Sequence, residues 1–247
     1  MDRPFPVRYS ADEAAGCLAC RLLFAADAGA DAALAVDSAM QRFLELANAG
    51  ALAGADVSPA ECGIGSLRLR RIDGGVMATF TDVRIDARSL SILVNMAHAL
   101  HAKVLPLREV QVAWEAIARI ADPRALAFPP AQASPPFSWV QDDDLGGVFD
   151  IVIDFGSAQD ARGLWLATAR TAAWMMAVAS GAYGDDASPP QVQAIDFATE
   201  PMTWSQESLV WYFDRFASGS QALDGLLNVL VRLDGDGVAV AAVELSE

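Results

Sequence analysis

Cysteine is scarce in this chain of 247 residues, which holds only Cys17, Cys20 and Cys62. An odd count in a chain this long supports no disulfide framework and suits a reducing compartment. Cys17 and Cys20 form a C-x-x-C, but residues 17–25 read as a strand. Side chains three positions apart on a strand point to opposite faces, with Cα atoms roughly 10 Å apart, too far for a disulfide. Also lacking is any run of about 20 uncharged apolar residues, the length a membrane-spanning helix needs. The most apolar stretch, residues 164–183, carries Arg170 near its middle. The opening residues lack the basic-then-apolar layout of a secretory signal, so the expected location is cytoplasmic.

Histidine is scarcer still. His98 and His101 are the only two, spaced i and i+3 on one helix, and a metal site would need a third ligand that the neighbouring sequence does not offer. No G-x-S-x-G elbow occurs. Cys62-Gly63-Ile64-Gly65-Ser66 precedes a strand rather than a helix and lacks a third glycine, which makes it a turn and not a phosphate loop. Asp142-Asp143-Asp144 lacks the alternating spacing and terminal glutamate of a calcium loop. No cofactor is expected.

Cations are few in the second half. Residues 1–128 carry 13 Lys and Arg against 15 Asp and Glu, whereas residues 129–247 carry 4 against 17. The formal net charge of −15 disfavours a nucleic-acid partner, because a phosphate backbone would be repelled. An apolar share of 53% argues for a packed core rather than disorder.

What is present is an internal echo. Phe80, Leu90, Leu93 and Asn95 recur at one constant offset as Phe213, Leu223, Leu226 and Asn228, within the segments 80–95 and 213–228. A repeat of this kind marks a recurring structural unit. In the second copy, residues 149–155 alternate as a strand, and Asp160 caps a helix over 161–180 that Gly181 ends. Strands over 192–198 and 209–216 follow, joined by a connection containing Pro201 and Trp204. A helix with leucines at three-to-four spacing and a last strand over 238–245 complete the order β-α-β-β-α-β. The first copy gives the same order: strand 17–25, helix 32–49, a hairpin of 67–72 and 76–85 across Asp73-Gly74, helix 89–102, strand 104–112 and a short helix 113–120.

The expected fold is therefore α+β, a tandem duplication of a ferredoxin-like βαββαβ unit, with two antiparallel sheets and helices on one face of each. The expected organisation is a first copy over 1–125, a Pro-rich linker over 126–139 and a strongly acidic second copy over 140–247. Trp165, Trp174, Met175 and Met176 are expected to pack in the core.

Strand parity then separates a helix-covered face from a free one. Arg21, Arg68, Arg70 and Arg108 fall on the free face of the first copy. Asp154, Asp196, Tyr212 and Asp214 fall on that of the second, and Trp204 is a candidate contact anchor. The two faces could pack on each other, line a cleft, or each bind another chain. The expected function is a noncatalytic binding or regulatory protein, a pseudo-dimer whose acidic surface engages a basic protein partner, with no nucleic acid and no membrane. The competing reading is an enzyme or small-molecule binder with an Arg-lined site between the copies.

Overall fold

The computed structural model describes residues 4–25, 30–103, 105–123, 126, 128–129, 135–142, 149–183, 202–213 and 220–246. It is an α+β structure of four helices and two five-stranded sheets among the described residues. The first half runs β1 (Val7–Ser10), β2 (Leu18–Phe24), α1 (Ala30–Asn48), β3 (Ser66–Ile72), β4 (Gly75–Thr81), α2 (Leu90–Lys103) and β5 (Leu107–Trp114). The second half repeats that order as β6 (Ser138–Gln141), β7 (Phe149–Asp154), α3 (Ala161–Ala179), β8 (Met202–Ser205), β9 (Ser208–Phe213), α4 (Ser220–Gly235) and β10 (Ala242–Ser246).

Strand order is β1-β5-β2-β4-β3 in one sheet and β6-β10-β7-β9-β8 in the other. Both sheets are mixed, which corrects the antiparallel expectation. β1 lies parallel to β5, and β6 lies parallel to β10. The two added strands are four residues each and pair with segments about a hundred positions away, so neither alternation nor a local turn announces them. Because β6 starts at Ser138, the end of the Pro-rich stretch is itself a strand.

Local signals account for most of the elements. The Asp160 carboxylate accepts the Gly163 N–H at 2.7 Å and caps α3, satisfying one of the donors a helix start leaves open. Gly50 and Gly181 follow α1 and α3 at φ +91° and +79°, a conformation that an L side chain resists. Gly74, at φ +66°, turns β3 into β4. Asp86 caps the 3-10 turn Ala87–Ser89 that leads into α2.

Three further expectations are corrected. The first concerns β5, where a register shift opposite Leu23 and Phe24 leaves Arg108 out of the pairing. This bulge switches parity, so Leu107 and then Val110, Val112 and Trp114 are the buried residues. β5 also runs on through Ala113 and Trp114, and a 3-10 turn over Glu115–Arg119 replaces the expected helix. The second concerns Trp204, which belongs to β8 and not to a connection; Gln206 and Glu207 make the turn into β9. The expected strand over 192–198 lies outside the described residues. The third concerns α3, where Trp174 and Met175 are buried but Trp165 and Met176 are exposed.

The helices cover one face of each sheet and then pack on each other. Phe43 of α1 meets Phe80 of β4 at 5.5 Å between ring centroids, and Trp174 of α3 meets Phe213 of β9 at 5.8 Å. α1 packs against α2 and α3, and α3 against α4. The layers are therefore sheet, helices, helices, sheet, with one buried apolar cluster drawing on both halves. Each buried large aromatic contributes roughly 1.5–3 kcal/mol by leaving water.

Candidate functional site

Parity along the strands fixes which side chains leave the core. On the first sheet, the register aligns Arg8, Gln111, Arg21, Met77 and Arg70 as one row across β1, β5, β2, β4 and β3. Arg68 stands one step along β3, opposite Thr79. At a strand spacing of about 4.8 Å, Arg21 and Arg70 emerge about 10 Å apart on one face. Arg21, Arg68, Arg70 and Arg108 are all exposed. Only Arg8 on this face has an ion-pair partner among the described residues, Glu109 at 2.8 Å. The five strands of this sheet hold six arginines and one acid.

The second sheet has the opposite composition. Its five strands hold Asp150, Asp154 and Glu244 and no cation. Asp150 pairs across to Tyr212, and Glu244 lies between Val152 and Val140. Asp154 and Glu244 are exposed, as are Tyr212 and Val140. One carboxylate oxygen of Asp150 is buried and accepts no hydrogen bond. Asp196 and Asp214 lie outside the described residues, and Trp204 is the third residue of β8.

The structure thus gathers Arg21, Arg68 and Arg70 on one face, and Asp154 and Tyr212 on another. The two faces do not meet. Two layers of helices lie between the sheets, so of the three arrangements open to the two faces, packing of Arg on Asp within one chain is replaced by helix-on-helix packing. The seam between the halves uses other residues. Asn95 of α2 donates to the Ala182 carbonyl at 3.0 Å, and Asn228 of α4 donates to the Ala53 carbonyl at 3.3 Å. Arg232 donates to the carbonyls of Pro59 at 2.9 Å and Cys62 at 3.3 Å, and also to that of Ala60.

Two grooves flank the α1–α3 contact at equivalent positions. One, of about 310 Å³, is lined by Ser38, Ala39, Arg42, Met96, Leu100 and Met176 among others. Its mate, of about 290 Å³, is lined by Ala169, Arg170, Ala173, Glu45, Asn48 and Ala49 among others. In the mate, Arg170 is tied to Asp236, which also binds Arg232 at 3.1 Å. In the first groove, Arg42 is half-buried and makes no ion pair among the described residues. Sequence reading missed Arg42 and Arg232, since a lone arginine on an amphipathic helix looks like solvated surface.

A third concavity, about 410 Å³, opens at the end of the first sheet between Arg84, Arg88, Arg119, Asp86, Glu115 and Trp114. Burial works against the Asp86 carboxylate, yet hydrogen bonds from Arg88 hold it below the usual carboxylate range. The same carboxylate caps a turn, which gives it a structural task.

Two of the cysteines and both histidines are engaged in packing. Burial pushes the Cys20 and Cys62 thiols up to about 12, so neither is a thiolate at neutral pH. His98 and His101 both pack on the Phe5 ring, and His101 Nδ1 accepts the Leu107 N–H at 2.9 Å. Among the described residues, no group of three or more His, Cys, Asp or Glu side chains is placed to hold a metal ion. No helix among them is long and apolar enough to cross a membrane. The chain matches no protein-family model and no curated protein sequence.

Proposed function

We propose that the chain is a tandem duplication of a ferredoxin-like βαββαβ unit, with copies over 1–125 and 140–247 joined through 126–139, fused as a pseudo-dimer. The strand orders β5-β2-β4-β3 and β10-β7-β9-β8 support that unit, with β1 and β6 as matching additions at one edge. The protein acts as a noncatalytic binding or regulatory protein whose acidic second copy engages a basic protein partner.

The observation that carries this reading is the segregation of charge by sheet: arginine on one outer face and, among the described residues, carboxylate without any cation on the other. Segregated charge of this kind steers encounter and selects partners by sign. The test is capture of a basic protein at low salt by the wild type and by a variant carrying Asp154→Arg and Glu244→Arg. The reading expects capture to fall at least tenfold in the variant while its melting temperature stays within a few degrees. Equal capture by both proteins overturns it.

A second reading, a small-molecule binder with its site between the copies, is favoured by one observation. The 310 Å³ groove takes residues from both halves and carries Arg42. An amphipathic carboxylate is the ligand class for such a lining, with its tail against Met96, Leu100 and Met176. Thermal-shift measurements with medium-chain carboxylates, on wild type and Arg42→Ala, test it; no shift in the wild type removes it.

A further inference from the structure

The two charged faces are complementary, yet they point away from each other. The row through Arg70, Arg21 and Arg8 lies on the outer side of the first sheet, and Asp154 and Glu244 lie on the outer side of the second. The helical layers between them prevent any meeting within one molecule. We propose that the partner of the acidic face is the arginine face of a second copy of this chain, so that molecules associate head to tail.

This inference rests on the reading that the acidic face binds a basic protein, and it names that protein. The chain itself supplies the complement. A guanidinium offers forked donors that match a carboxylate, and Arg21, Arg68 and Arg70 make no ion pair among the described residues. Both faces also present apolar area beside their charges: Met77 stands between Arg21 and Arg70 in the row, and Tyr212 and Val140 are exposed on the other face. Contacts of this mixed kind exclude water around the ion pairs.

Sign decides the symmetry. An isologous dimer through the first sheet would set arginine against arginine, and one through the second sheet would set carboxylate against carboxylate. Like-charge juxtaposition disfavours both. The remaining pairing is heterologous, which does not close after two subunits and extends until a ring forms or the supply ends.

The test is sedimentation velocity on the full chain at roughly 100 µM, enough to populate a contact whose Kd is of that size or tighter. Runs at about 20 mM and about 500 mM salt bracket the range over which surface charge becomes screened. The expected result is a mean mass that rises with protein concentration at low salt and falls to the monomer at high salt. Arg21→Ala with Arg70→Ala, and separately Asp154→Asn with Glu244→Gln, should each give monomers at low salt. An equimolar mixture of the two variants should stop at a one-to-one heterodimer, because only one intact pair of faces remains.

All four positions are exposed, and unchanged thermal melts verify that the variants fold. A wild type that stays monomeric at low salt overturns the inference, as does assembly that both variants retain or that salt does not weaken. If the wild type is monomeric while its acidic face still captures a basic protein, the inference fails and the binding reading stands. If Asp154→Asn with Glu244→Gln leaves capture unchanged, the binding reading fails by itself.

Discussion

Asn95 and Asn228 make matching contacts from opposite halves of the chain. Each stands fifteen residues after the phenylalanine that anchors its unit, Phe80 or Phe213. Each donates its side-chain amide to the loop that follows the first helix of the other half, at Ala182 for Asn95 and at Ala53 and Ala51 for Asn228. Gly50 and Gly181, both in the left-handed region, shape those two loops. The residues shared between the halves therefore hold the halves together.

Removing either amide leaves buried carbonyl groups with less to bond. Asn95→Ala and Asn228→Ala are each expected to lower stability by about 1–3 kcal/mol in chemical denaturation. A single cooperative transition should persist in both variants, since one apolar cluster spans the two halves. Two separated transitions in the wild type would show that the halves unfold independently.

Gly225 of α4 faces the ring of Tyr183, and a Cβ at that position would overlap the ring and its hydroxyl. Tyr183 is buried and cannot swing away. Gly225→Ala is expected to destabilise by about 1–3 kcal/mol through overpacking, despite the better helix propensity of alanine. The Tyr183 hydroxyl is buried without a hydrogen-bond partner, so Tyr183→Phe should be close to neutral alone and should recover part of the Gly225→Ala loss. Additive losses in the double variant would refute this contact.

On the acid side, the Asp86 carboxylate is held below the usual range by Arg88 against the opposing effect of burial, and that of Asp236 by Arg170 and Arg232 against the same effect. A depressed folded pKa contributes stability above the unfolded value and loses it as pH falls through the folded one. Stability measured from pH 6 downwards should therefore decline through the carboxylate range. Asp86→Ala should flatten that decline and cost about 2 kcal/mol at pH 7 by removing the cap and the ion pair. An unchanged acid limb would contradict the assignment.

On the alkaline side, burial pushes the Cys20 and Cys62 thiols up to about 12, well above the ordinary thiol range. Above pH 9 the unfolded chain releases protons that the folded chain retains, so stability should fall as pH rises towards 12. A thiol reagent at pH 8 should modify one cysteine of the native protein, the half-buried Cys17, and three after unfolding. Rapid labelling of Cys62 in the native state would mean that the seam opens.

The arginine face was legible because a strand's period of two separates its sides whatever lies above them. Arg21, Arg68 and Arg70 needed only local parity, and so did the buried set of Leu22, Val76, Ala78 and Phe80. Arg108 and the buried Leu107 fall on the sides that alternation assigns, but the bulge beside them shifts the parity so that Val110 and Val112 are the next buried residues, and a bulge leaves no signature in alternation. β1 and β6 were illegible for a related reason. Four residues carry almost no periodicity, and their hydrogen bonds lie a hundred positions along the chain.

The sequence by itself determined the order of the main elements, the echo between the halves and the sign of charge on each outer face. These depend on neighbours along the chain: the Asp160 cap, the glycine after each first helix, the alternation in β2, β4 and β7. The tertiary structure alone decided that the halves meet through α1 and α3, and that Asn95 and Asn228 reach across. It also set the two charged faces on opposite sides of the molecule. Helix-on-helix burial removes two apolar surfaces from water at once, whereas pairing the sheets through their charges would have required desolvating arginines and carboxylates. That difference is what leaves both charged faces exposed.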